Sequence, residues 1–283
     1  MEKINYGLND LHAVQLDMLK KLIAVCEAND LGYFLAFGSL LGASRDHRII
    51  PWDDSIDVVM PYADYEKLTN LPQGVWGENL FIQTYYTDPQ YPKCYAKLRN
   101  SSTTLIKAEY ADLDINQGIY INIMPIVALA DDAGRRNRQM KDAKLYKAIA
   151  GRSPLPSDDG ILRLYSSFLL NVLPDHSRRK MREKLKQKVI RYSGEKTKEC
   201  FALAGEVSLS LPLSSSWFAS AVKMDFEGMS VNVPAGWHEW LVLRYGDYTV
   251  APISELQGDK TSTFVTLNTQ RPYTDYKGKT YCV

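Results

Sequence analysis

Three aspartates within five residues, Asp53, Asp54 and Asp57, lead directly into the apolar run Val58-Val59-Met60. Acid so concentrated beside buried chain repels itself, and the cluster is costly unless a cation offsets it. Ahead of it stands Phe37-Gly38-Ser39-Leu40-Leu41-Gly42-Ala43, preceded by an apolar segment. The pattern predicts a short strand over 33–37, a tight turn at Gly38-Ser39 and a helix over 40–45. Such a turn turns backbone N–H groups toward a phosphate. Glycine lets the chain come close, and the serine adds a hydroxyl donor. A second strand is predicted over 55–60, where positions 55 and 57 share a face. Carboxylates there suit magnesium, a hard ion that neutralises phosphate charge and aligns an in-line displacement. Taken singly, each piece reads as an acidic turn or an ordinary Gly-Ser loop. In this order, together, they point to a phosphate site.

The remaining pattern is that of an α/β chain. Asn9 or Asp10 caps a helix running to about residue 29, with Leu11, Leu19, Leu22, Ile23 and Cys26 on one face. Pro61 ends the second strand, and a helix is predicted over 64–71. Further strands are predicted over 80–86, 95–98 and 119–123. Between 131 and 191 the pattern becomes helical and basic, and from 201 onward short strands alternate with loops and one helix near 237–245. With no repeat and no low-complexity linker, the expected architecture is a single domain over 1–283. It has a mixed-sheet core, a helical insertion at about 131–200 and a C-terminal α+β extension.

Charge and cysteine usage exclude several function classes. A net charge of +1 supplies no overall basic field for nucleic acid. Cys26, Cys94, Cys200 and Cys282 are scattered without a CxxC pair, which argues against a disulfide framework or zinc site and for a reducing, cytoplasmic setting. Residues 1–6 carry no apolar signal-peptide core. The stretch 161–174 is too short and too polar to span a bilayer, being broken by Arg163, Ser166, Ser167 and Asn171. A helix predicted over 176–192 carries Arg178, Arg179, Lys180, Arg182, Lys184, Lys186, Lys188 and Arg191. A solvated face is the default reading. The alternative is contact with an anionic membrane, with Leu164, Phe168, Leu169, Val172 and Leu173 in the interface, which would make the protein peripheral at the membrane's inner face. His47 and Arg48 read as a solvated loop beside the site, and His12, His176 and His238 as structural or exposed.

The run over 11–65 resembles the opening block of the LicD family, with Gly38-Ser39-Leu40-Leu41-Gly42-Ala43 and Ile50-Pro51-Trp52-Asp53-Asp54-Ser55-Ile56-Asp57. Later segments are similar in the family's order: Tyr95-Ala96-Lys97-Leu98-Arg99 with Thr103-Thr104, and Gly118-Ile119-Tyr120-Ile121-Asn122-Ile123-Met124-Pro125. Asp225-Phe226-Glu227-Gly228-Met229 and Leu243-Arg244-Tyr245-Gly246-Asp247-Tyr248 follow. The match is weakest over 131–200.

The resemblance implies a nucleotidyltransferase-like fold and a magnesium-assisted transfer of a phospho-alcohol, often phosphocholine, from a CDP-activated donor. The acceptor is a sugar of a cell-surface glycan (lipopolysaccharide, teichoic acid or capsule), at times lipid-linked. It assigns Gly38 and Ser39 to the donor phosphates and Asp57 to the metal, with Asp53 and Asp54 as further ligands. Lys97, Arg99, Arg45 and Tyr245 are candidates for substrate binding.

Departures from the family's pattern bear on catalysis. Ser55 stands where the family has a third consecutive aspartate, Asn122 where it has another, and Val127 where an aspartate usually follows the proline. Ser55 and Asn122 offer lone pairs without charge, so magnesium is expected to bind weakly or not at all, and Asn122 is no general base. Asp112 and Asp114 are conceivable helpers of the cation. Three readings therefore stand: the transferase, a catalytically impaired relative that binds nucleotide or glycan or supports an active paralogue, and nucleotidyl transfer to another acceptor.

Overall fold

The computed structural model describes residues 7–153, 160–172, 174–204, 211–250 and 263–283. Helix α1 (Leu8–Ala28) buries Leu11, Met18, Leu19, Leu22, Val25 and Cys26, the apolar stripe that its helical spacing requires. Its cap lies slightly ahead of the expected residues. Gly7 is the N-cap, and Asp10 in the first turn accepts the Gly7 N–H at 2.9 Å, complementing the positive end of the helix dipole.

A seven-stranded sheet follows, with strand order β1-β2-β6-β4-β3 and with β7 and β8 continuing from β6. The strands are β1 (Phe34–Leu35), β2 (Asp57–Pro61), β3 (Leu80–Gln83), β4 (Ala96–Asn100), β6 (Ile119–Leu129), β7 (Glu199–Ala202) and β8 (Leu213–Ser214). The β2–β6 pair is parallel and the other pairs are antiparallel, so the sheet is mixed and the α/β architecture stands. Strand β6 runs well past the expected end at 123. Pro125 has no N–H to give to a ladder, yet it sits where β6 leaves β4 and takes up β7, and there its carbonyl accepts the Leu203 N–H at 2.9 Å. The prolines flanking these strands thus mark changes of partner as well as ends.

Two boundaries near the acidic run also differ from expectation. The chain turns out of β1 after two residues, and α2 (Phe37–Arg45) takes Gly38 and Ser39 into its own first turn. Strand β2 begins at Asp57, which leaves Ser55 in the preceding loop. Helix α3 (Tyr62–Thr69) follows at once. Strand β5 (Thr104–Lys107), absent from the sequence reading, pairs with β11 (Phe264–Asn268).

Helices α4 (Ala133–Gly151), α5 (Gly160–Val172) and α6 (Asp175–Val189) occupy the stretch between β6 and β7, with α4 packed on both of the others. Among the described residues all four cysteines are free thiols, and no helix is long and apolar enough to cross a membrane.

Two C-terminal elements close over the beginning of the chain. Strands β9 (Ala221–Phe226) and β10 (Met229–Pro234) form a hairpin whose two-residue turn, Glu227-Gly228, has φ of 53° and 72°. Both values are positive, as the type I′ turn favoured by twisted hairpins demands. The tip grips the loop before the acidic run: the Glu227 N–H donates to the His47 carbonyl at 2.8 Å, and its carboxylate accepts the Ile49 N–H at 2.9 Å. Helix α7 (Trp237–Tyr245) sets Trp240 edge-on to Phe37 and Phe218, with centroids 5.5 Å and 5.4 Å away.

Candidate functional site

The site is built where the first turn of α2 meets the start of β2. Phe37, at the head of α2, has φ of 50°, a conformation that a bulky side chain adopts only when its surroundings impose it. Trp240 and the Arg244 guanidinium, 4.7 Å from the Phe37 ring centre, hold it there. This turn starts α2 without a side-chain cap, and the first bond within the helix is Leu40 N–H to the Ala36 carbonyl at 3.1 Å. The N–H groups of the first turn therefore have no partner inside the helix, the usual condition of an anion-receiving helix start.

Gly38 matters here for a reason the sequence did not disclose. A Cβ at this position would lie 2.1 Å from Oδ2 of Asp53, so the bare α-carbon makes room for that carboxylate. Ser39 is buried, and its Oγ accepts the Asp57 N–H at 2.8 Å, fixing the first turn of α2 to the first residue of β2. The Gly38→Ala variant is expected to keep its melting temperature within a few degrees, because alanine favours the helix. Displacing Asp53 is expected to lower turnover by about 10- to 100-fold. Thermal melts and steady-state rates on one preparation check both parts.

Across the sheet, Asp57, Asn122, Lys97 and Gln83 are successive register partners on β2, β6, β4 and β3. Partners directly opposite each other point to the same face, so this is a polar row on one side of the sheet. The Asn122 side-chain N–H donates to Oδ1 of Asp57 at 2.7 Å, and the Ser55 hydroxyl reaches the same oxygen at 3.4 Å. The Asp57 carboxyl is pushed up to about 7, first by burial and then by the neighbouring negative charge of Asp53. Oδ1 of Asn122 is buried without a hydrogen-bond partner. A buried acceptor left over beside a carboxylate is a position that a donor or a cation can take up.

Lys97 is 2% exposed, and its ammonium lies 3.3 Å from the centre of the Tyr120 ring rather than against a carboxylate. Burial, then the positive charges of Arg99, Lys107 and Lys93, hold its pKa well below the usual lysine range. An anion at this spot would relieve that repulsion.

The three aspartates part company. Asp54 is buried and ion-paired with Lys107 of β5, while the Asp53 carboxylate turns back to accept the Asp54 N–H at 2.9 Å. Among the described residues no three His, Cys, Asp or Glu side chains converge on one point. Arg99 is satisfied inside the protein by Oε1 of Gln83 at 2.8 Å and the Gly118 carbonyl at 2.6 Å. Arg45 forms an ion pair with Asp46 at 2.7 Å at the far end of α2. Tyr245 does belong near the acid: partial burial and, among the charges, Asp57 and Asp53 raise its hydroxyl above the tyrosine range. Asp114 is exposed and ion-paired with Lys277 at 2.6 Å.

Gln15, Lys107 and Arg244 were not among the expected site residues, and His12, expected as structural or exposed, is structural. Gln15 and His12 of α1 hold the acidic loop by its backbone, Gln15 donating to the carbonyls of Asp54 and Tyr120 at 3.0 Å each and His12 bonding to the Asp53 carbonyl at 2.7 Å. Their signal was available, since both are polar residues set in the buried stripe of an amphipathic helix. Lys107 and Arg244 gave no comparable signal. Arg244 packs on Phe37 beside Tyr245, and its Nε is buried without a hydrogen-bond partner.

Residues 30–137 match the model of the LicD family, described as the LicD/FKTN/FKRP nucleotidyltransferase domain. The chain is 27% identical over 262 residues to the lipopolysaccharide cholinephosphotransferase LicD of Haemophilus influenzae, an alignment covering 88% of this chain and 94% of the relative. The matched segment contains the α2 turn, the acidic loop, β2, β4 and β6, and thus Gly38, Asp57, Lys97 and Asn122.

Proposed function

From a chain whose residues 30–137 match the model of the LicD/FKTN/FKRP nucleotidyltransferase domain, we propose a transferase that moves a phospho-alcohol from a CDP-activated donor to a sugar of a cell-surface glycan. Phosphocholine and lipopolysaccharide are the first choices for group and acceptor, following the similarity to a lipopolysaccharide cholinephosphotransferase over most of the chain. The observation that carries the reading is the row Asp57-Asn122-Lys97, tied to the uncapped start of α2 by the bond from the Asp57 N–H to Ser39. It joins a carboxylate, a neutral oxygen and a buried ammonium on one face of the sheet, a set of groups suited to a diphosphate and its counter-ion.

The donor set fits magnesium that is shared with the donor's phosphates, because magnesium is commonly held by one or two carboxylates plus substrate oxygens. Asp57 and Asp53 would hold it, with the unpaired Oδ1 of Asn122 and the Ser55 hydroxyl as neutral donors. When bound, the ion neutralises charge on the diphosphate and favours departure of the leaving group. The protein's own residues do the rest. The first turn of α2 and the Ser39 hydroxyl orient the phosphates, and Lys97 and Arg244 offset their charge. The bond from the sugar oxygen to phosphorus forms as the diphosphate bond breaks, CMP departs, and the hydroxyl proton passes to solvent. A loose phosphoryl-transfer transition state asks for position and charge more than for a strong base. Asn122 in place of an acid is therefore compatible with turnover.

The second reading is a relative that binds nucleotide or glycan without catalysis, or supports an active paralogue. It is favoured by Ser55 and Asn122 and by the diversion of Asp54 to Lys107. Calorimetry of magnesium and CDP-choline, with a parallel turnover assay, separates the two on the wild type and on Ser55→Asp/Asn122→Asp. The transferase reading expects binding and turnover by the wild type. If only the double variant binds and turns over the donor, that reading fails.

A further inference from the structure

The helical stretch between β6 and β7 is unlike the rest of the chain in charge. From residue 133 to 191 there are 16 Lys and Arg against five Asp and Glu, a net +11 in a chain of net +1. The remainder accordingly carries net −10. The absence of an overall basic field therefore conceals a strongly polarised molecule, with its positive charge concentrated in one group of helices.

Within that group, α5 is amphipathic in an unusual sense. Ser166 and Leu169 face inward, while Ile161, Leu164, Tyr165, Phe168 and Val172 are 85%, 71%, 46%, 59% and 57% exposed. These five recur at intervals of three, one, three and four, one continuous stripe on a helix. The sequence reading had placed Leu169 among the outward residues, but it is a core residue; Leu173 lies outside the described residues. A stripe of large side chains at this exposure exceeds the scattered apolar residues of an ordinary surface.

Basic groups gather at the end of α5, while Arg163, exposed as well, lies on the helix side opposite the stripe. Arg178 at the start of α6 donates to the Leu170 carbonyl at 3.2 Å, tying the first turn of α6 to the end of α5. Arg152, Arg178, Arg179 and Arg182 line one recess together with Tyr91 and Ile149, where the end of α4 meets the start of α6. An apolar helical face with a cluster of cations beyond its end fits a bilayer with acidic headgroups, whose phosphates meet the cations while the side chains enter the interface. A symmetric pairing through α5 of two copies would instead bring two layers of net +11 together.

We propose that α5 is a membrane-docking helix, its outward stripe lying in the interface of an anionic bilayer and the arginine-lined recess and α6 resting on the phosphate layer. The docking does not depend on the transferase reading. Flotation of the full-length protein with vesicles of phosphatidylcholine alone, and with 30% phosphatidylglycerol, tests it. Binding is expected only with phosphatidylglycerol, and it weakens steeply with salt. The exposed changes Leu164→Glu/Phe168→Glu are expected to reduce it at least tenfold, and Arg179→Glu/Lys180→Glu by about tenfold or more at low salt. Lys20→Glu/Lys67→Glu, the same charge change on α1 and α3, serves as the control and is expected to change binding less than twofold. Equal binding to both vesicle types, no binding, or equal loss in the control would overturn the proposal. So would a dimer in solution that Leu164→Glu/Phe168→Glu dissociates, in the absence of vesicle binding.

Discussion

Replacing Asp57 by asparagine is expected to abolish transfer while raising the melting temperature of the metal-free protein. The carboxylate sits at the head of β2 with one amide N–H at 2.7 Å and one hydroxyl at 3.4 Å, and its pKa is pushed up to about 7 by burial and by Asp53. A carboxyl raised in the folded state binds protons there that the unfolded chain has already released. Stability therefore falls as pH rises from the unfolded value near 4 to about 7, and the full cost is present above that. Asparagine has the same shape and still accepts from Asn122 but carries no charge. In EDTA at pH 8 the variant is expected to gain on the order of 1–3 kcal/mol, seen as several degrees in a thermal melt, with little gain near pH 4. Activity is expected to fall by about a thousandfold or more, since the carboxylate that would hold the cation on the donor phosphates is lost. A variant that melts lower at pH 8, or retains a tenth of the rate, would contradict the role given to this residue.

A residue expected to weaken the free protein and to serve only when ligand arrives is the kind that local sequence rules flag as misplaced. That is why the acidic run was legible. Its density beside Val58 and Val59 made no sense as a core, and the Gly-Ser turn ahead of it made sense as a phosphate site. The amphipathic α1 and the order of strands and helices were legible for the same reason, because burial imposes a period on the residues. What stayed hidden depended on contacts between segments remote in sequence. Lys107 is 53 positions from Asp54, and Glu227 is 178 from Ile49. No periodicity announces such pairs. Gly38 was legible as a glycine needed for close approach, yet the group approaching it within the protein is the Asp53 carboxylate. Pro125 misled the length of β6, since a strand that changes neighbours can pass through a proline at the change.

Asp54 offers the sharpest separation of structural acid from functional acid, through a double-mutant cycle with Lys107. The two form a buried ion pair, with side chains 9% and 13% exposed, joining the acidic loop to β5. Removing one member leaves the other charge in a dry place without its partner, a change that costs about 3–5 kcal/mol, whereas replacing both by neutral groups of similar size is often nearly neutral. Lys107→Met alone is therefore expected to lower the melting temperature by roughly 6–20 °C at pH 7. Asp54→Asn alone is expected to be as damaging, because it strands the ammonium. The double variant is expected to recover most of the loss, giving a coupling energy of at least about 2 kcal/mol. Its activity then decides what Asp54 is for. If the double variant folds and retains turnover within about tenfold of the wild type, Asp54 only braces the loop that carries Asp53 and Asp57, as its contact with Lys107 implies. Turnover reduced by a thousandfold in a well-folded double variant would instead return Asp54 to the cation, with Lys107 its placeholder in the ligand-free protein.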